Sequence, residues 1–130
     1  MAIAIDTSVL IAAERGFVTL ADLLEKEAGP FYVPALAAAE YLAGTHLAGS
    51  ETTRERARRF YEAEIKPLVD VFDEADAAAL ALLNATLRRK GQTMKLYDAA
   101  IAAGALARDD SLLALDNDFD RVTGLKLIRP

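Results

Sequence analysis

Short apolar runs alternate with longer helical patterns along the whole chain, and this alternation limits the possible folds more than any other feature. The apolar runs cover residues 2–6, 31–33, 67–72, 111–116 and, more weakly, 125–128. The longer segments between them carry apolar residues at helical spacing. Strands that alternate with helices form βαβ units, in which strands pair in parallel and helices cover both faces of the sheet. We therefore expect an α/β fold with a mostly parallel sheet of four or five strands.

The composition indicates one small domain spanning residues 1–130. A chain of 130 residues, 53% of them hydrophobic, is long enough to bury a core. Cysteine is absent, which excludes disulfides and thiol nucleophiles and suits a reducing cytoplasm. No apolar stretch approaches the roughly 20 residues that span a bilayer, and the N-terminus MAIAID lacks the basic start of a signal peptide. We expect a cytoplasmic protein with no membrane partner.

Acidic residues follow or interrupt apolar segments at four places. Asp6 ends the first apolar run and Asp116 ends the fourth, while Glu40 and Asp98 lie in otherwise apolar, alanine-rich helical segments. Because parallel strands share their carboxyl edge, acids at two strand ends should meet there. Each acid alone has an ordinary explanation as a helix cap, a turn residue or a surface residue. A buried carboxylate is costly unless it is paired or metal-bound, so the four together favour a cation site.

The same residues, in this order, resemble the PIN-domain family. The matching segments are IDTSVLI at residues 5–11, Glu40 in the second helical block, YDAAIAA at residues 97–103 and ALDNDFDRVTGLKLI at residues 114–128. Their order and spacing are most similar to the VapC ribonuclease toxins of type II toxin–antitoxin systems, and the resemblance covers nearly the whole chain. It implies a PIN-like domain with three layers, α/β/α, around the central sheet.

The resemblance also implies the site residues. The family's acidic quartet, which is catalytic and holds the metal, corresponds to Asp6, Glu40, Asp98 and Asp116. Asp118 corresponds to a secondary metal ligand, and Thr7 or Ser8 to a hydroxyl that can bond a ligand water or the substrate phosphate. Carboxylates without histidine or cysteine favour Mg²⁺ or Mn²⁺ over zinc. The family often has threonine two positions before its fourth acid, but this chain has Ala114 there.

A VapC-like chain is expected to be a metal-dependent endoribonuclease that hydrolyses RNA by an attacking water, without a covalent intermediate. Either Asp98 or Glu40 could orient that water. The resemblance further implies a homodimer and a cognate VapB-like antitoxin that masks the acids. Two alternatives stay open, a non-catalytic PIN-like binding module and a metal-dependent phosphatase with Asp6 as nucleophile. Such phosphatases usually have a second acid two residues later, where this chain has Ser8.

Basic residues form two clusters in a chain whose net charge is −5. In the arginine-rich segment 54–59, neighbouring glutamates favour a solvated face with ion pairs over a surface that steers phosphates. The bases at residues 88–90 are typical of a helix C-terminus. Lys95, three residues before Asp98, is the first candidate for a contact with substrate.

Overall fold

Five short parallel strands form the centre of the molecule in the computed structural model, which describes residues 1–130. They are β1 (Ile3–Ile5), β2 (Phe31–Pro34), β3 (Val69–Asp70), β4 (Ser111–Leu113) and β5 (Lys126–Ile128). The strand order is β3-β2-β1-β4-β5, and every neighbouring pair is parallel. The predicted α/β fold with a parallel sheet is therefore confirmed, with five strands.

Six α-helices connect and flank the strands. They are α1 (Thr7–Glu14), α2 (Leu20–Glu25), α3 (Ala35–Leu47), α4 (Glu51–Phe60), α5 (Glu74–Arg89) and α6 (Leu96–Arg108). A π-helical turn, Tyr61–Ile65, continues α4, and a 3-10 turn, Asn117–Arg121, follows β4. None of the helices combines the length and the apolar character needed to cross a bilayer.

Helix α6 is packed more tightly into the core than any other helix. Its residues 98–105 are all buried, and most of them are alanine, which allows close approach to the sheet and to α5. Gly104 faces Asp76 of α5, where a Cβ would lie 3.4 Å from the Asp76 Oδ1 atom. The small residues of α6 therefore bring its first turn, which carries Asp98, close to the ends of the central strands.

A partly buried ion pair joins the far end of α6 to the start of α5. Arg108 donates hydrogen bonds of 2.8 Å to Asp76 Oδ2 and to the carbonyl oxygen of Val71, and its guanidinium lies 5.3 Å from the ring centre of Tyr32. The Asp76 side chain is only 2% exposed. It also accepts a bond from the backbone N–H of Asp73, as half of the capping box of α5. These contacts fix the orientation of α5 against α6.

The strand order creates a crevice at the carboxyl edge of the sheet. From β1 the chain moves outward through β2 to β3, then returns to β4 on the other side of β1. The connections that leave β1 and β4 thus run in opposite directions, and parallel α/β sheets bind ligands at such a switch point. Asp6 directly follows β1, and Asp116 lies shortly after β4. The topology therefore brings acids from opposite ends of the chain to one crevice.

Candidate active site

Asp6 ends β1 and caps α1. Its Oδ2 atom accepts hydrogen bonds from the backbone N–H of Ser8 at 3.0 Å and from the Ser8 hydroxyl at 2.6 Å. The side chain is buried, and Oδ1 has no hydrogen-bond partner. Burial raises the pKa of Asp6, the bonds from Ser8 oppose that rise, and the charge of Glu40 adds to it. One oxygen of Asp6 is thus fixed by the protein, while the other is free to bind a cation.

Three further carboxylates meet at the edge of the crevice. Asp98, Asp116 and Asp118 each offer an oxygen atom within 4.8 Å of the other two. Asp98 is buried in the first turn of α6, while Asp116 caps the 3-10 turn and accepts a 3.0 Å bond from the backbone N–H of Asp118. This tight turn carries both half-buried acids, so the structure places Asp118 as well as Asp116 within that distance of Asp98.

Asp6 and Glu40 lie outside this group of three, but their negative charges act on one of its members, Asp98. The pKa of Asp98 is raised to about 6, first by burial and then by the negative charges of Asp6, Glu40, Asp116 and Asp118. Glu40 is half-buried on α3 and raises the pKa of Asp6 as well. All five acids predicted from the sequence therefore converge on one region.

The carboxylates of the acidic cluster form almost no ion pairs with basic side chains. None of the nine ion pairs in the structure includes Asp6, Glu40, Asp98 or Asp116. Asp118 has only a weak pair, in which Arg121 lies 3.8 Å away. Close carboxylates without a compensating cation repel one another and tend to keep protons. Oxygen ligands without histidine or cysteine suit a hard divalent ion, so the donor set fits Mg²⁺ or Mn²⁺.

The three polar residues predicted near the acids have different surroundings. Thr7 is buried, and its hydroxyl donates to the carbonyl oxygen of Ala37 in α3 at 3.4 Å, so this hydroxyl is engaged away from the acids. The Ser8 hydroxyl donates to Asp6 and accepts a 3.0 Å bond from the backbone N–H of Leu115. Lys95 is exposed at the N-cap of α6 and forms no ion pair. Of the two candidate hydroxyls, that of Ser8 joins the ends of β1 and β4.

Arg129 supports the site in a way that the sequence analysis missed. Its guanidinium donates to the carbonyl oxygen of Asp116 and pairs with Asp120 at 2.7 Å. It also contacts the carbonyl oxygen of Ala114 at 3.4 Å. Because β5 runs beside β4, a residue just after β5 reaches the segment just after β4. Arg129 could have been identified only from the pairing of β5 with β4, because no local motif points to it.

The geometry agrees with comparisons to known proteins. A sequence model of the PIN domain matches residues 3–125. This chain belongs to the PIN-domain family. Ribonuclease VapC1 of Rickettsia felis is 30% identical to this PIN domain over 131 residues, which cover 98% of this chain and 96% of that protein. The resemblance predicted from the sequence is therefore confirmed.

Solved structures show the same PIN fold. DNA-bound VapBC from Salmonella typhimurium superposes with a TM-score of 0.86 at 20% identity, covering 99% of this chain and 98% of that one. VapBC-5 from Mycobacterium tuberculosis, of the VapBC family of toxin–antitoxin systems, superposes with a TM-score of 0.81 at 24% identity and the same coverage. At these identities the likeness establishes the architecture of the chain.

Without metal, the substitution Asp98→Asn is expected to stabilise this PIN domain near neutral pH. The pKa of Asp98 is raised from 3.8 to about 6, so ionising this group costs more in the folded than in the unfolded chain. The proton on Asp98 therefore contributes to the free energy of unfolding. This contribution is fully present below about pH 4 and is lost as the pH rises through about 6. Thermal unfolding in EDTA should show a higher Tm for the variant above about pH 7 and nearly equal values near pH 4.

The matched control is Asp109→Asn at the other end of α6. Lys126 lowers the pKa of Asp109 through a hydrogen bond and its charge, so that variant should show no gain above pH 7. A gain from Asp98→Asn that did not depend on pH would contradict the assigned electrostatic cause.

Proposed function

We propose that this PIN domain is a metal-dependent endoribonuclease that hydrolyses phosphodiester bonds of RNA, and that it is the toxin of a VapBC-type pair. The observation that carries the proposal is the meeting of five carboxylates at the sheet crevice with almost no basic partner. The relative named ribonuclease VapC1, aligned over nearly the full length of both chains, supports the choice of RNA. Action on RNA also agrees with the expected cytoplasmic location.

The residues that would hold Mg²⁺ or Mn²⁺ are Asp98, Asp116 and Asp118 together with the free Oδ1 atom of Asp6. When bound, the ion supplies positive charge that offsets the negative charge developing on the phosphodiester in the transition state. Ser8 keeps the Asp6 carboxylate in one orientation through its two hydrogen bonds. The hydroxyl of Ser8 is already engaged as donor and acceptor, so we assign it a positioning role rather than a contact with phosphate.

Glu40 is the better of the two candidates for orienting the attacking water. It lies outside the compact group of three acids and is half-buried at the edge of the crevice. Its carboxylate would accept a proton from water as the water oxygen bonds to phosphorus and the bond from phosphorus to the leaving oxygen breaks. No side chain forms a bond to phosphorus in this scheme.

The neighbouring surface fits the proposed antitoxin partner. A cleft of about 340 Å³ opens beside Glu40 between α1, α3 and α4, and it includes the apolar side chains of Ile11 and Leu47. One solved structure with this fold is named a toxin–antitoxin complex, and another is named a member of the VapBC family of toxin–antitoxin systems. We propose that a VapB-like antitoxin occupies this cleft and masks Glu40. A homodimer stays a prediction of the family resemblance.

The proposal is tested by incubating the purified protein with RNA, DNA and a generic phosphomonoester, each with Mg²⁺, Mn²⁺ or EDTA. We expect cleavage of RNA with either metal and none in EDTA, because removing the cation leaves mutually repelling carboxylates in the crevice. Gel electrophoresis of labelled RNA measures the cleavage, and restoring the metal to the EDTA-treated sample should restore it.

The same experiment separates the alternatives. Hydrolysis of the phosphomonoester alone would replace the nuclease with a phosphatase. Absence of hydrolysis with every substrate and metal would leave a non-catalytic PIN-like binding module. Sequencing the RNA ends produced in cells would then identify the target RNA.

A further inference from the structure

The basic side chains of this chain divide into paired and unpaired groups. Nine of the fifteen lysines and arginines form ion pairs with acids. Of the six that do not, four lie within eight residues where α5 ends and α6 begins. We call these the α5–α6 cation cluster: Arg88, Arg89, Lys90 and Lys95. All four are exposed, so their charge is available to a ligand in solution.

The other arginine-rich surface, on α4, has little free charge. Arg54 pairs with Glu51, Arg56 with Glu14, and both Arg58 and Arg59 with Glu55. Each of these arginines has a carboxylate of this chain beside it, as the sequence analysis favoured. A polyanion would have to compete with those carboxylates, whereas it meets no such competition at the α5–α6 cation cluster.

Stabilisation of helix ends does not account for this cluster. Arg88 and Arg89 lie in the last turn of α5, where the helix dipole favours positive charge. Lys95 lies at the N-cap of α6, where the dipole disfavours it. A cation held at that end, exposed and without an acidic partner, is better explained by an external anion.

The cluster lies beside the acidic crevice. Lys95 precedes by three residues the buried Asp98 in the first turn of α6. The Arg121 guanidinium donates a 2.8 Å bond to the carbonyl oxygen of Thr93 and lies 3.8 Å from Asp118. One side chain therefore contacts both the loop between α5 and α6 and the acidic group. The two residues that follow Lys95, Leu96 and Tyr97, are 66% and 37% exposed.

We propose that the α5–α6 cation cluster binds the phosphates of single-stranded RNA and guides the strand to the acidic crevice. This inference rests on the proposed ribonuclease function. The free cations neutralise backbone phosphates, and the exposed ring of Tyr97 offers a surface on which a base stacks. An attracting surface beside the acids also explains how a chain with net charge −5 binds a polyanion.

The test compares two double variants that remove the same charge. R88Q/K95Q neutralises the cluster, and the control R58Q/R59Q neutralises two exposed arginines on α4. Affinity for a fluorescein-labelled single-stranded RNA of mixed sequence is measured by anisotropy in EDTA over a range of salt concentrations. We expect R88Q/K95Q to bind about tenfold more weakly than wild type, with a salt slope smaller by about 1.4. The control should bind within about twofold of wild type, because its arginines are already paired.

A charge-retaining variant, R88K/K95R, guards against a simple folding defect and should recover most of the affinity. Equal loss of affinity in R88Q/K95Q and R58Q/R59Q would overturn the proposal, as would wild-type affinity in R88Q/K95Q. If R88Q/K95Q bound RNA as tightly as wild type while the wild-type protein cleaved RNA with Mg²⁺, the ribonuclease function would stand without this surface. If wild type cleaved no RNA but R88Q/K95Q still bound it more weakly, the nuclease proposal would fail while the binding surface remained.

Discussion

Asp98→Asn is expected to lower metal-dependent RNA cleavage by at least about a thousandfold, or about 4 kcal/mol of transition-state stabilisation. The substitution removes the one carboxylate that lies within 4.8 Å of both Asp116 and Asp118 and also feels the charges of Asp6 and Glu40. Asparagine keeps the size of the side chain but supplies no negative charge to hold the cation. Single-turnover cleavage of labelled RNA at saturating Mg²⁺ measures the effect.

Asp109→Asn is the control for this experiment. It makes the same chemical change eleven residues later, at the C-cap of α6, which is about 16 Å away at the helical rise per residue. Asp109 is exposed and pairs with Lys126, so cleavage should stay within about twofold of wild type because surface ion pairs contribute little. Calorimetric titration with Mn²⁺ should show weaker binding only for Asp98→Asn. Wild-type turnover in Asp98→Asn would remove this acid from the active site.

The second large effect is expected on stability. Arg108→Gln should lower the free energy of unfolding by about 3 kcal/mol, because it leaves a buried carboxylate without its cation. Asp76 is almost fully buried, and its Oδ1 atom already lacks a partner. After the substitution, the N–H of Asp73 would be the main remaining stabilisation of that charge. Urea unfolding monitored by circular dichroism gives the difference.

The control is Lys126→Gln, which also breaks a 2.8 Å ion pair between a cation and an aspartate. The Lys126 and Asp109 side chains are 45% and 85% exposed, so the loss should stay below about 1 kcal/mol. Adding Asp76→Asn to Arg108→Gln should recover part of the stability, because the buried charge is then gone. If the double variant were no more stable than Arg108→Gln, the uncompensated charge would not be the cause.

The strands and the four principal acids could be predicted from local patterns. The run AIAID reads as a buried strand that ends in an acid, and the structure has β1 at Ile3–Ile5 with Asp6 directly after it. Glu40 and Asp98 could be selected because a lone charge in an apolar helix requires an explanation. The roles of these residues as metal ligands stay predictions that the experiments above test.

Other features depended on contacts between distant segments. Thr7 and Ser8 are adjacent, yet only the backbone of α1 decides that Thr7 points to Ala37 while Ser8 reaches Asp6 and Leu115. The closeness of Asp118 to Asp98 follows from the 3-10 turn. An arginine lacks an ion pair only where no carboxylate lies close to it in the folded chain. For Arg56, the paired residue is Glu14, forty-two residues away in sequence.

The sequence by itself determined the class of fold, the family and the set of acids. Each of these depends on local patterns, namely the apolar periodicity of short segments and the order of the motifs. The tertiary structure alone decided which strands are neighbours, and therefore where those acids meet. The pairing of Ile3 with Ser111 joins segments from opposite ends of the chain. Such pairing depends on the packing of all layers at once, and no local pattern specifies it.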